Sequence, residues 1–461
     1  VKRILAIAGL TWKSAFRYRL FWILAALLAG AVVGLPLLLK DDGTAKGLVQ
    51  ILLTYTLSAV ATLLGMATLW LSCGTLARDI EECQLQVVTV KPISRWQVWL
   101  GKWLGILGLN AMLLTLSGAA IFILLQWRAG HLPPDEQKVL RDEIFVARAS
   151  IKEREPDLTP QIDRQVQQRI TELEKTEPTE LNKAEIRRQV TEEVKAASTG
   201  VPPGYGRLWV IDLHTLPERT QNEAFQVRVK FHASDPNPEA TYDTYWVVGP
   251  PESQRVAKIR QVLPPDSFQE FQVPPHLLDE KGRLVIDFYN ANNASLMFPI
   301  EDGFELLYYE NSFGVNFIRG MMIILCWLAL LAAIGLAAAS QLTFPVAAFA
   351  CMAIMLMGLS SGTIQTVVEQ GTITSYDSAA GSFGHSPLDL ILVPVFHGSL
   401  KIIQLVESFS PIDFLSTGRS ITWTMLGLAV AQIVLLLAGI FGAIGIILFS
   451  RRELATAQGN S

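Results

Sequence analysis

Five stretches of this chain, residues 21–39, 48–77, 103–127, 320–368 and 420–450, contain no Asp, Glu, Lys or Arg. At 1.5 Å per residue, about twenty uncharged apolar residues match the roughly 30 Å hydrocarbon layer of a bilayer. A single water-soluble core is therefore excluded. The fourth run covers more than twice that thickness, and Ser340-Gln341-Leu342-Thr343-Phe344-Pro345 inside it supplies a turn with proline placed to open a new helix. Six spans are expected. Charged residues make up only 17 % of the 461 positions, against about 25 % in globular proteins. About two thirds of them fall within 128–312, so the average describes two unlike parts.

The fold class expected is a polytopic α-helical membrane protein of six transmembrane helices with an extracytoplasmic α+β insertion, charged helices followed by a β-sandwich. Residues 1–20 form an interfacial elbow helix, 21–127 hold spans one to three with a loop at 78–102, and 128–312 form the insertion. Residues 313–450 hold spans four to six, and 451–461 form a tail. The stretch 388–406 is a poor lipid-facing helix because Pro394, His397 and Lys401 interrupt it and Glu407 follows, so 387–414 reads as interfacial or re-entrant. No small-residue cleavage pattern follows the first apolar run, which reads as a retained span.

Orientation follows from basic residues in the short loops. With the N-terminus in the cytoplasm, Lys2, Arg3, Lys13, Arg17, Arg19, Arg78, Lys91, Arg95, Lys102, Arg451 and Arg452 lie inside, and Lys40, Lys46, Arg319, Lys401 and Arg419 lie outside. That excess puts both termini in the cytoplasm and the insertion on the other side. At 100° per residue, Lys2, Arg3, Lys13 and Arg17 share one arc, with Ile4, Leu5, Ala8, Trp12, Ala15 and Phe16 opposite, the pattern of a helix anchored at an anionic membrane surface. The alternative is an N-terminal extension of the first span with flanking charge.

The insertion changes texture midway. Across 133–198, single apolar stripes at helical spacing, Ile162, Val166, Ile170 and Leu173, then Ile186, Val190 and Val194, mark narrow-striped helices. Thr159 before Pro160, and Asn182 with Glu185 three residues on, read as N-terminal caps. Across 205–310 the period becomes two, as in Phe225, Val227, Val229 and Phe231, and about eight short strands with Pro, Gly and Asn turns suggest a β-sandwich. Trp209, Tyr245 and Trp246 are candidates for stacking on a sugar or peptide, with burial in the sandwich core as the alternative.

Several chemistries are excluded. Cys73, Cys83, Cys326 and Cys351 lie in or beside apolar runs, which leaves the insertion without a disulfide framework. No basic cluster interleaved with aromatics suggests nucleic acid. No H-E-x-x-H or G-x-S-x-G motif is present, and no nucleophile and base pair stands out, so an enzyme is not expected. Asp377, His385, Asp389 and His397 are the best metal candidates, but their spacing does not place them on one helix and no metal site is assigned. Glu369, Asp389 and Glu407 could line a path near the outer face.

The loop between the second and third spans is charged at both ends and apolar in its middle. Glu81-Glu82 precede Leu85, Val88 and Val90, then come Lys91-Pro92-Ile93-Ser94-Arg95 and Gly101-Lys102. Pro92 stops one short helix and Ser94 caps the next, whose Trp96, Trp99 and Trp103 recur at three and four residues near the headgroups. This loop resembles that of the permease subunits of ATP-binding-cassette transporters of the ABC-2 type. Ser410-Pro411-Ile412-Asp413-Phe414 resembles the family's proline-containing segment before the last span, and Phe449-Ser450-Arg451-Arg452-Glu453-Leu454-Ala455 resembles its C-terminal ending. Cys83-Gln84 departs from the Gly-Thr of many members. The likeness covers the six spans and their edges and leaves the insertion unexplained.

The resemblance implies a multi-pass subunit of the bacterial cytoplasmic (inner) membrane that moves a substrate, with export the expected direction. It carries no cofactor of its own. The chain has no G-x-x-x-x-G-K-[ST] loop to cradle a triphosphate, so ATP would be bound by a separate P-loop ATPase subunit. A second permease subunit, membrane lipid and an extracytoplasmic ligand or protein are the other implied partners. The loop would be the coupling helix, with Arg78, Glu81, Glu82, Lys91, Arg95 and Lys102 at the ATPase interface and Pro92 and Ser94 shaping it. The alternative from another class is a membrane-anchored binding or assembly protein whose β-sandwich recognises a sugar, peptide or partner protein.

Overall fold

A computed structural model describes residues 2–17, 19–38, 44–81, 93–140, 144–152, 158–176, 183–214, 216, 224–234, 241–250, 255–300, 302–370, 372–374, 376–377, 382–383, 386 and 388–452. The chain is mostly helical, with a separate β-sheet region. It divides into two units, residues 1–147 with 311–461, and residues 148–310. Among the described residues, six helical segments are long and apolar enough to cross a membrane: Phe21–Leu38, Gly47–Glu81, Arg95–Ala129, Phe313–Ala339, Asp389–Ser416 and Trp423–Arg451.

In the helical unit, α1 (Lys2–Arg17), α2 (Arg19–Leu38), α3 (Ala45–Glu81) and α4 (Arg95–Ala129) are followed, beyond the second unit, by α5 (Phe313–Ala339). Helices α3, α4 and α5 share the main core, where Leu53, Leu57, Leu64, Ile106, Ile121, Ile323, Ile324 and Leu336 are fully buried. Later in the chain come α6 (Phe344–Leu359), α7 (Ser361–Gln370), α8 (Asp389–Glu407), α9 (Pro411–Ser416) and α10 (Trp423–Arg451). Helix α10 adopts π-helical geometry over Val430–Ala438.

The fourth uncharged run departs from the expectation of two straight spans. Its second half is α6 and the start of α7, bent by 71° at a short break. Pro345 opens α6 as expected of a first-turn proline. Its 16 residues reach only about 24 Å, and Ser360-Ser361-Gly362 then lets the chain turn. The stretch around 388–406, by contrast, is one continuous 19-residue helix despite Pro394.

A polar latch joins α5 to the segment before α10. Asn316 accepts the Ile421 backbone N–H at 2.7 Å and donates to Arg419 O at 2.7 Å. One turn on, Arg319 is 2 % exposed, donates to Ile421 O at 2.8 Å and lies over the Trp423 ring at 4.6 Å. A cation in so apolar a setting persists because a carbonyl and a π-face replace its water.

The second unit carries β1 (Val146–Lys152), β2 (Gly206–Asp212), β3 (Phe225–Val229), β4 (Tyr242–Val248), β5 (Ala257–Leu263), β6 (Gln269–Val273), β7 (Arg283–Asn290) and β8 (Phe304–Ser312). One four-stranded sheet runs β1-β8-β3-β6 and a second β2-β7-β4-β5, and the two-residue strands Gly200–Val201, Leu296–Met297 and His232–Ala233 make a small third. The two four-stranded sheets share one aromatic core. Trp209 stacks on Phe304 of the other sheet at 4.6 Å, and Trp246 meets Phe271 at 5.1 Å. Away from that core, the first sheet carries a cross-strand ion network of Arg228 with Glu305 and Glu270, Arg148 with Glu270, and Lys152 with Glu305.

The two charged helices, Thr159–Thr176 and Lys183–Thr199, pack on each other through Ile162, Val166, Ile170, Ile186, Val190 and Val194, flanked by Arg187–Asp163 and Arg169–Glu193 ion pairs. They interrupt the β region and do not simply precede it, because β1 lies before them in the chain. Its alternation was faint because its core-facing positions include the small residues Ala147 and Ala149.

Candidate functional site

Residues 78–102 form the candidate coupling loop, and the structure describes 78–81 and 93–102 of them. Glu82, Lys91 and Pro92 lie outside the described residues. The flanks are knitted into the helical unit by helix-end contacts. Arg78 sets its guanidinium over the Phe344 ring at 4.7 Å, and exposed Glu81 accepts the Phe344 backbone N–H at 3.1 Å. The end of α3 therefore caps the start of α6 and satisfies one of its orphan donors. Its negative charge is favourable at a helix N-terminus.

On the other flank, Arg95 donates from Nη1 to Phe449 O, Ser450 O and Arg452 O at 2.9, 2.8 and 2.7 Å. A guanidinium over the last carbonyls of α10 satisfies orphan acceptors and complements the negative end of the helix dipole. Arg452 in turn donates to Ser340 O at 3.1 Å, and Gln341 Nε2 donates to Leu448 O at 3.0 Å. The described residues on either side of 82–92 thus hold on to other helices, Glu81 to α6 and Arg95 to the end of α10.

Lys102 corrects the expectation of a surface contact. It is 6 % exposed and donates to Thr75 O at 2.9 Å and to Asp79 Oδ2 at 2.5 Å, joining α4 to α3 inside the unit. Ser94 occupies the N-cap position of α4 in extended conformation, but its side chain makes no capping bond. Its backbone carbonyl accepts from Gln97 and Val98. Of the three tryptophans expected near headgroups, only Trp96 is exposed. Trp99 is buried against α10, where a Cβ on Gly445 would come within 2.8 Å of its Nε1, and Trp103 donates to Ala329 O at 2.9 Å. Gly442 and Gly445, three residues apart on α10, make the groove that the indole fills.

Helix α1 presents three faces. Ile7, Thr11 and Ala15 are buried against α4. A Cβ on Gly101 or Gly105 would collide with Ile7 Cβ at 2.7 Å or Thr11 Cβ at 2.8 Å, so only glycine allows this approach. Lys2, Arg3, Lys13 and Arg17 all lie on the exposed side with Leu10 among them, and Leu5, like Leu10 more than half exposed, lies between them and the packed face. Ile7 and Thr11 extend the packed stripe beyond the apolar arc read in the sequence, while Ala8 and Trp12 of that arc lie against Gly105 and Gly108.

Trp209 and Trp246 are each 1 % exposed and cannot stack on a ligand. The aromatics on the outer face of the second sheet are Tyr245 and Tyr289, directly paired across β4 and β7. A depression in this unit is lined by Ser234, Thr241, Tyr242, Asn292 and Asn293. Outside the membrane candidates, burial pushes the Asp287 carboxyl above its ordinary value, and the His214 side chain holds Asp212 below it. Among the described residues, no three His, Cys, Asp or Glu side chains converge as metal ligands. Asp389 accepts the Ser386 and Ile373 backbone N–H groups at 2.8 and 3.1 Å, which ties its own loop, and His385 lies outside the described residues.

Asp79, Thr75, Gln341, Phe344 and Arg452 were not foreseen. The available signal was their place at the polar ends of apolar runs, where unsatisfied helix termini need partners. No protein-family model, curated protein or solved structure matches the chain, so these residues are read from their own geometry and chemistry.

Proposed function

We propose that this chain is the membrane-spanning permease subunit of an ABC-2-type transporter, moving its substrate, in the export direction, with ATP hydrolysed on a separate subunit. The observation that carries the reading is the pair of contacts made by the described residues on either side of 82–92. Glu81 and Arg95 cap α6 and α10, so a force applied to the loop reaches two helices at their ends. Docking of that loop on an ATPase would bias a rigid-body rearrangement of the helices, converting binding energy into a shift of population.

In this reading the six long apolar helices lie in the bacterial cytoplasmic membrane with both termini inside, α1 rests on the inner surface through Lys2, Arg3, Lys13 and Arg17, and the β-rich unit lies outside. The ATPase contacts fall to Glu82 and Lys91 with Arg78 and Glu81 beside them, because Lys102 and Arg95 are already engaged within the unit. A second permease subunit completes the assembly. The test is to extract the tagged full chain in mild detergent and identify what accompanies it. A P-loop ATPase that is lost on combining Glu82→Lys with Lys91→Glu supports the proposal, and its absence from the unmodified complex overturns it.

A membrane-anchored binding protein is the second reading, favoured by the paired Tyr245 and Tyr289 on the outer sheet face. It requires that Tyr245→Ala with Tyr289→Ala abolish binding to an extracytoplasmic ligand without affecting ATPase capture.

A further inference from the structure

Cys73 of α3 and Cys351 of α6 are both buried, with their Sγ atoms 3.7 Å apart. Cys73 also points at the Gly335 carbonyl of α5, at 3.6 Å. The pair sits in a small apolar patch with Leu69, Ala347 and Ala348, flanked by the soft thioethers of Met352 and Met355 and distinct from the main core. Helix α6 buries only Ala347, Ala348 and Cys351, while Phe349, Ile354, Leu356 and Leu359 are half exposed or more. Its side-chain hold on the helical unit therefore runs through the Phe344 ring at its start and, further along, a few small groups with the two thiols among them. A disulfide requires sulfur atoms about 2.05 Å apart, so less than about 2 Å of closure separates contact from bond.

We propose that Cys73 and Cys351 form a redox-responsive thiol pair, closed to a disulfide by a lipid-soluble two-electron thiol oxidant, that pins α6 and the bend into α7 to α3. With an azodicarboxamide as oxidant, one thiol adds across the N=N bond, forming an S–N bond and passing its proton to the second nitrogen. The other sulfur then attacks the first. The S–S bond forms as the S–N bond breaks, the second proton goes to the departing nitrogen, and the azo compound leaves as the hydrazine with the two electrons the thiols have lost. The apolar surroundings admit a neutral oxidant and resist charged ones such as glutathione disulfide. The proposal stands on the thiol geometry and does not depend on the transport reading. In that reading it adds a lock at the helix that Glu81 caps.

The test uses the full chain in lipid nanodiscs treated with diamide, quenched with N-ethylmaleimide, digested without reductant and analysed by mass spectrometry. The expected product is a Cys73–Cys351 peptide pair lacking two hydrogens, reversed by dithiothreitol, with alkylatable thiols falling from four to two. The linkage persists in Cys83→Ser and is lost in Cys351→Ala. Hydrogen exchange of α6 amides slows by about tenfold in the oxidised chain as local opening is suppressed. The unmodified sequence carries the result alone should a variant misfold. Linkage of Cys73 to another cysteine, both thiols remaining alkylatable, or a disulfide that leaves α6 exchange unchanged would each overturn the proposal. Failure to capture an ATPase would leave this result untouched, so the two readings fail separately.

Discussion

Replacing Asp79 with leucine should destabilise the helical unit more than replacing Lys102 with methionine, although both changes break the same ion pair. The Lys102 side chain is 8 % exposed and that of Asp79 30 % exposed. Removing one partner of a buried pair costs about 3–5 kcal/mol when the surviving charge stays buried. Asp79→Leu strands the ammonium of Lys102, which keeps only Thr75 O at 2.9 Å, so about 3 kcal/mol is expected. Lys102→Met strands a carboxylate that water can reach, and screening lowers the cost to about 1–2 kcal/mol. The double variant leaves an apolar pair and costs less than the sum, with a coupling of about 2 kcal/mol. The assay is equilibrium unfolding in mixed micelles by tryptophan fluorescence for all four proteins. A reversed order, or single effects that add to the double within about 0.5 kcal/mol, would refute the inward placement of Lys102.

Gly105→Leu should lift α1 off α4, since even a Cβ would meet Thr11 Cβ at 2.8 Å; a cost of about 1–3 kcal/mol and faster hydrogen exchange across 2–17 are expected. Trp209→Ala should cost about 3–5 kcal/mol in unfolding of the β-rich unit, against under about 0.5 kcal/mol for Tyr289→Ala, and equal effects would contradict the core assignment. Acidification should weaken that unit. Asp279 is held below the usual carboxylate range by the backbone N–H of Arg283, and Asp212 by the His214 side chain. Their stabilisation is complete above the unfolded value of about 4 and is lost as pH falls through the lower folded values, so its melting temperature should drop there.

Much of the architecture was legible because it depends on long patterns. Uncharged runs exposed the long apolar helices, and strict alternation in 242–248 marked a strand whose Tyr242, Thr244, Trp246 and Val248 all turn inward. The stripes Ile162, Val166, Ile170 and Ile186, Val190, Val194 pack on each other as their spacing suggests. Hydropathy could not distinguish a straight span from the bent α6–α7 pair, since a serine–glycine break changes direction without changing apolarity. Nor did it show that 389–407 is one continuous helix in which Pro394 is accommodated. The site was harder. A basic residue at the edge of a span can face a partner or cap a helix, and sequence does not separate the two. Arg95 and Lys102 took the second role because α10 ends, and Asp79 points, within their reach. Tryptophans in strands were equally ambiguous until Trp209 and Trp246 were placed between the sheets.

The central claim, that this chain passes mechanical work between a membrane bundle and an ATPase it does not contain, is tested most directly by ATP hydrolysis in reconstituted vesicles. The accompanying ATPase is assayed with the full chain, with the Glu82→Lys and Lys91→Glu double variant, and alone. The account predicts that hydrolysis rises several-fold with the full chain and returns to the level of the isolated ATPase with the double variant, whose fold and insertion are unchanged. Hydrolysis that is the same in all three preparations would contradict it.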